Sequence, residues 1–261
     1  MTIGVFDSGV GGLSAFRVLH QKFPQQSLLY LADQAYLPYT ARTSEELRQR
    51  CGQITRYFEE QGCNLIFIAC NTATAAAIDY LRATFPHLQF IGMEPAVKPA
   101  VAHTKTGVVG VMATTSTLAS HRYADLVARY AAQTTLIENR CIGLAEQIDK
   151  GELDSPETIQ RLREITSPML SQHADTIILG CTHYPFVETT LRQIVGDSIA
   201  FIDPAEATVR QIGRLLPSIT PQGQEKPPQF LTTADPHTLK QQINRLLNWS
   251  ITDTQVSRLD L

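Results

Sequence analysis

Residues 64–75 read NLIFIACNTATA, and residues 175–186 read DTIILGCTHYPF. Each is a short, nearly continuous apolar run that meets a cysteine and then small polar residues. Such a run suits a strand covered on both faces, as in a parallel sheet flanked by helices. The surroundings repeat that alternation. IGVF (3–6) leads through a Gly-rich turn into an amphipathic stretch over 12–22, and LLYLAD (28–33) is a second strand. TSEE (43–46) starts a helix by a capping box, with Leu47, Ile54 and Phe58 on one face. A helix over 72–85 and a strand at FIGM (90–93) follow.

The pattern then restarts. TGVVGVMAT (106–114) reads as a strand, 116–131 as one helix, and SPET (155–158) caps another helix with proline at its first position. After the strand at 175–181, a helix is expected from Pro185 or Phe186. PSITPQGQEKPP (217–228) reads as a loop, and FLTT with the helical 237–247 as a last strand–helix unit. Aligning IGVFDSGVGG with VGVMATTSTL, and NLIFIACNTA with DTIILGCTHY, makes the halves correspond. Asp7 to Cys70 spans 63 residues, and Ala113 to Cys181 spans 68. The expected fold is α/β, two pseudo-symmetric domains with mostly parallel sheets flanked by helices. In such sheets ligands bind beyond the carboxyl ends of the strands, where both cysteines fall.

Bulk properties narrow the function. A chain of 261 residues with 43% hydrophobic content can bury a substantial core. The net charge is −3 with no basic block, which argues against nucleic acid or an anionic membrane as partner. The opening TIGVFDSG reads as strand and turn rather than leader, and no apolar run approaches the ~18 residues of a spanning helix. Five dispersed cysteines without CxxC pairs fit free thiols in the cytoplasm. A homodimer is an expectation only, because sequence does not locate the apolar patches that association needs.

The cysteines at strand ends admit three chemistries. Cys70, Cys181 and His183 could ligate a metal, but no fourth ligand is placed and the spacing matches no zinc pattern. Cys181 with His183 could form a hydrolase pair, since side chains two apart on an extended segment point to one side. Cys70 then has no role. Racemisation needs a base on each face of one carbon, and so uses both cysteines. Cys51, Cys63 and Cys141 stand outside any polar motif and read as core thiols. The GVGG segment (9–12) lacks dinucleotide-fingerprint spacing and suits close approach to a small ligand. Pyridoxal chemistry would require a Schiff-base lysine, and of six lysines only Lys98 lies near a motif.

FDSGVGGLS (6–14), CNTATA (70–75), EPAVKPA (94–100), VGVMATTST (109–117) and GCTHYP (180–185) together resemble the glutamate racemases, in register along essentially the whole chain. The resemblance implies a cofactor-independent, two-base racemase of glutamate that supplies the D isomer for peptidoglycan, with no metal. It implies domains at 1–94 with 206–261 and at 95–205, facing one cleft. Cys70 and Cys181 would be the catalytic acid/bases, helped by Asp7, His183 and Asp149. Ser8, Pro38, Tyr39, Thr40, Asn71, Thr72, Thr114, Thr117 and Thr182 match substrate contacts. Two positions depart from the family pattern. Thr40 stands where the family usually has glycine, a costly change if that position needs φ > 0. Asp149 stands where a Glu usually assists the second cysteine. Aspartate as substrate, or an amino-acid-binding relative without turnover, are the alternatives these departures keep open.

Overall fold

The computed structural model describes residues 2–216 and 227–261. Most of the loop expected at 217–228 therefore lies outside the described residues. The chain divides into two compact units, Met1–Met93 with Ala205–Leu261, and Glu94–Pro204.

The first unit begins with β1 (Thr2–Asp7), α1 (Leu13–Lys22), β2 (Ser27–Ala32), α2 (Ser44–Glu60), β3 (Cys63–Ile68), α3 (Asn71–Thr84) and β4 (Gln89–Gly92). The second unit holds α4 (Val97–His103), β5 (Val108–Ala113), α5 (Thr115–Leu118), α6 (His121–Tyr130), β6 (Thr135–Asn139), α7 (Leu144–Asp149), α8 (Pro156–Ser171), β7 (Thr176–Gly180), α9 (Glu188–Val195) and β8 (Ala200–Ile202). The chain then returns to the first unit with α10 (Ala205–Leu215), β9 (Gln229–Thr232), α11 (Pro236–Leu247) and β10 (Val256–Arg258).

Both sheets are parallel throughout, as the unbroken apolar runs require. The strand order is β10-β9-β2-β1-β3-β4 in one unit and β6-β5-β7-β8 in the other. The four strands β2-β1-β3-β4 repeat as β6-β5-β7-β8, and the first unit adds β9 and β10 outside β2. Register preserves the correspondence seen in the sequence. Phe6 pairs with Ile68, and Met112 pairs with Leu179, one residue before Asp7 and Ala113 and two before each cysteine.

Packing follows from the apolar faces. Phe6, Leu31, Ile66 and Ile68 meet Leu47, Ile54 and Phe58 of α2 and Ala73, Ala77 and Leu81 of α3. In the second unit Met112, Ile177 and Leu179 meet α8 on one face. Val109, Val111 and Ile178 meet α4 and Tyr123 on the other. Burial at these sites is worth about 1.5–3 kcal/mol per large aliphatic side chain. The capping box of Thr43 and Glu46 forms as expected.

Two helix expectations are corrected. The helix expected over 116–131 is two, because Ser120 accepts a hydrogen bond from the Tyr123 N–H and opens a new helix at His121. After Cys181 the chain makes a 3₁₀ turn over Tyr184–Val187, and α9 starts only at Glu188. Among the described residues, no helix is long and apolar enough to cross a membrane.

Candidate active site

Cys70 lies two residues beyond β3 and is the N-cap of α3. Its extended backbone leaves Sγ to accept the Ala73 N–H at 3.4 Å, and Sγ lies 3.8 Å from Ser8 Oγ. The free N–H groups and partial positive charge of a helix N-terminus favour negative charge on that sulfur. The thiol is buried, with 6% of the residue exposed. Asp7, at the end of the neighbouring strand, is fully buried and accepts the Gly9 N–H at 2.8 Å through Oδ1. The Tyr30 hydroxyl donates to the Gly9 carbonyl at 2.8 Å and pins the turn.

One glycine of the Gly-rich turn has a packing role within the chain. A Cβ on Gly12 would lie 2.6 Å from Asp7 Cβ and 2.9 Å from Tyr30 Oη. Gly12 permits α1 to approach the strand carrying Asp7.

Asn71 and Thr72 open α3 beside Cys70 and are both buried. Among the described residues, both carboxamide atoms of Asn71 lack hydrogen-bond partners. Buried polar groups are usually paired in native proteins, so a carboxamide beside a candidate catalytic thiol is suited to hold a polar ligand. Pro38, Tyr39 and Thr40 belong to a turn after β2, with a 3₁₀ turn over Tyr39–Ala41. Tyr39 is buried and its hydroxyl donates to Asp33 Oδ2 at 2.7 Å, so this group is already engaged. Thr40 is exposed and absent from the residues with positive φ, which are Cys141, His173 and Asn248 among non-glycines. The backbone cost expected of threonine in place of glycine is therefore not incurred.

Cys181 follows β7 and is 7% exposed. His183 is helical in backbone rather than extended, with φ −75° and ψ −33°. Its ring still returns to the thiol, with Nδ1 3.6 Å from Sγ. Nε2 donates to Asp149 Oδ1 at 3.0 Å. Burial opposes charge on this imidazole, yet the Asp149 carboxylate, by charge and hydrogen bond, and Cys181 raise its pKa well above the usual range. Asp149 is the last residue of α7 and only 23% of its side chain is exposed. It is thus a partner of His183 rather than a solvated helix-end acid, and the shorter carboxylate reaches the ring.

Thr114 caps α5, accepting the Thr117 N–H at 3.2 Å, and the two hydroxyls lie 2.9 Å apart. They sit at the carboxyl end of β5, with Thr117 and Thr182 both buried. In the first unit the structure gathers Asp7, Ser8, Cys70, Asn71 and Thr72 at the carboxyl ends of adjacent strands. In the second it gathers Thr114, Thr117, Cys181, Thr182, His183 and Asp149 around the end of β7. Lys98 stands apart, exposed, with Nζ 5.4 Å from the centre of the Tyr130 ring.

The other three cysteines are core thiols, as expected. Burial pushes Cys63 up to about 11 and Cys141 up to about 12. Sequence reading missed Asp33 and Arg50, whose buried pair lies beneath the 38–40 turn. The only signal was an acid directly after a buried strand, which occurs at many strand ends.

Residues 13–212 match the Asp/Glu/hydantoin racemase family profile. A glutamate racemase of Pseudomonas aeruginosa (strain UCBPP-PA14) is 45% identical over 240 residues, covering 91% of each chain. Glutamate racemase isoform RacE1 of Bacillus anthracis superposes with a TM-score of 0.89 at 28% identity, over 100% of this chain and 97% of that one. Escherichia coli glutamate racemase, solved with L-glutamate and the activator UDP-MurNAc-ala, gives 0.87 at 26% identity, over 99% and 98%. With the strand-end cysteines and this similarity along nearly its whole length, the chain belongs to the Asp/Glu/hydantoin racemase family, alongside the glutamate racemases.

Proposed function

We propose that the protein interconverts L- and D-glutamate without a cofactor, with Cys70 and Cys181 as bases for opposite faces of the α-carbon. The observation that carries this reading is the matched placement of the two thiols, two residues beyond paired strand positions, each with its own polar apparatus. One thiolate removes the α-proton and the other thiol delivers a proton from the opposite side. The reverse reaction exchanges their roles. The helix N-terminus serves the Cys70 side, and the imidazole of His183 can balance charge or pass a proton at the Cys181 side. Asn71 with Ser8, Thr72, Thr114, Thr117 and Thr182 supplies amide and hydroxyl partners for the carboxylates and ammonium. The backbone of Pro38–Thr40 completes the substrate contacts. We extend the reading to a cytoplasmic enzyme, with which its five free thiols agree, that provides D-glutamate for peptidoglycan.

The test is incubation with each glutamate enantiomer in D₂O without added cofactor, followed by circular dichroism and α-deuterium incorporation. Both enantiomers should lose ellipticity and gain α-deuterium. Cys70→Ser and Cys181→Ser should each slow racemisation by at least about 10²-fold, the scale of general acid–base catalysis. The Cys181–His183–Asp149 alignment also fits a cysteine hydrolase. Retained turnover in Cys70→Ser, together with a trapped acyl-enzyme, would favour that second reading.

A further inference from the structure

Asp33 follows β2 and is fully buried, and its carboxylate is held by side chains. Oδ1 accepts from Arg50 Nη2 at 2.6 Å and from Thr233 Oγ1 at 2.9 Å. Oδ2 accepts from Arg50 Nε at 2.8 Å and from the Tyr39 hydroxyl at 2.7 Å. Thr233 Oγ1 also accepts the Ala35 N–H at 3.0 Å. Arg50 is itself almost buried, donates through Nη1 to the Leu261 carbonyl at 3.1 Å, and lies 5.0 Å from the centre of the Tyr36 ring. Tyr36 in turn meets Tyr39 edge to face.

A buried ion pair of this kind is a weak source of net stability, because desolvation offsets much of its attraction. What it does supply is fixed geometry, through a two-pronged guanidinium contact and full use of both carboxylate oxygens. That geometry is delivered to one place. Tyr39 is the only buried residue between Asp33 and Leu47, with Tyr36 and Leu37 half-buried, so it is the main peg of the turn. Its neighbours Pro38 and Thr40 are exposed and can present their backbone.

We propose that Asp33 and Arg50 are positioning residues, which set affinity for glutamate by fixing the 37–41 turn through Tyr39. The inference rests on the reading that Pro38–Thr40 touches substrate. Neither Asp33 nor Arg50 needs to reach the substrate.

The test compares Arg50→Lys, Tyr39→Phe and the double variant by steady-state racemisation of L- and D-glutamate, with thermal unfolding of each. Lysine keeps the charge beside Asp33 but loses the two-pronged contact. Arg50→Lys should raise KM about fivefold in both directions with kcat changed less than about twofold, a loss of ground-state and transition-state binding together. In the Tyr39→Phe background the same change should add much less to KM, because the hydrogen-bonded link to the turn is cut and only the contact through the Tyr36 ring remains. A lowered unfolding midpoint with unchanged KM would reduce the pair to scaffolding and overturn the proposal. So would a KM effect that persists undiminished without the Tyr39 hydroxyl. Should Arg50→Lys fail to fold, Thr233→Val removes one donor to Asp33 just after β9, together with the acceptor of the Ala35 N–H, and should give a smaller rise in KM, again diminished in the Tyr39→Phe background. If wild-type protein neither racemises nor binds glutamate, the underlying reading fails and this inference falls with it.

Discussion

Asn71, at the first position of α3, buries a carboxamide whose oxygen and nitrogen both lack partners among the described residues. Leaving such a group unpaired costs about 1–3 kcal/mol. Asn71→Ala should therefore be neutral or stabilising by up to about 1 kcal/mol in urea unfolding, while KM for glutamate rises at least about tenfold. A variant that loses stability and keeps its KM would show that the side chain serves the fold. His183 gives a second separation. Its raised pKa means that the pairing with Asp149 stabilises the fold fully below the unfolded value of about 6.5, and that this contribution is lost as pH rises through the folded value. In Asp149→Asn burial dominates and the imidazole is neutral at lower pH. The alkaline limb of kcat/KM should move to lower pH, and an unmoved limb would remove His183 from the proton path. Residue identity was readable for these groups where a motif held them. The Asp149–His183 contact joins α7 to the turn after β7, so the family resemblance, and no local periodicity, pointed to Asp149.

At the scale of elements, two glycines with opposite surroundings give a paired prediction. Gly12→Ala would drive Cβ to 2.6 Å from Asp7 Cβ, and should cost about 1–3 kcal/mol along with much of the activity. Gly52 lies inside α2 with the nearest Tyr80 atom 3.7 Å from the position of a new Cβ. Gly52→Ala should stabilise by about 0.5–1 kcal/mol through helix propensity, measured in the same denaturant series. The long elements were legible because apolar runs and caps mark them. β1, β2, β3, β5 and β7 read directly, and the correspondence of the halves fixed their register. β6, β8 and β10 did not, being three to five residues long and half exposed or at a sheet edge. Such strands owe their state to a neighbouring strand rather than to their own pattern. The break between α5 and α6 escaped for a similar reason. One serine at position 120 competes for the backbone, and the apolar spacing continues across it.

For the whole molecule, the continuous segment Glu94–Pro204 carries its own four-stranded sheet and two packed apolar faces. Expressed alone it should fold cooperatively, with dispersed amide NMR signals and no racemisation of glutamate. A disordered product would show that it depends on the remainder of the chain. The two-unit division was visible from the repeat, because one half's motifs predict the other's. The buried network around Asp33 was not, because Thr233 is 200 residues away and no local pattern links them.

The first unit is interrupted in the chain, and this sets an order of events during synthesis. β1 to β4 emerge from the ribosome first, the entire second unit follows, and β9 arrives only at Gln229. Until then the outer edge of β2 has no β9 to pair with, and Asp33 with Arg50 lacks Thr233. An open parallel edge is a template for pairing with other chains, and incomplete sheets are prone to aggregate. The second unit can fold while the first waits. Translation pauses or truncations between Pro204 and Gln229 should therefore leave a half-built sheet attached to a finished one, a species that chaperones would be expected to retain.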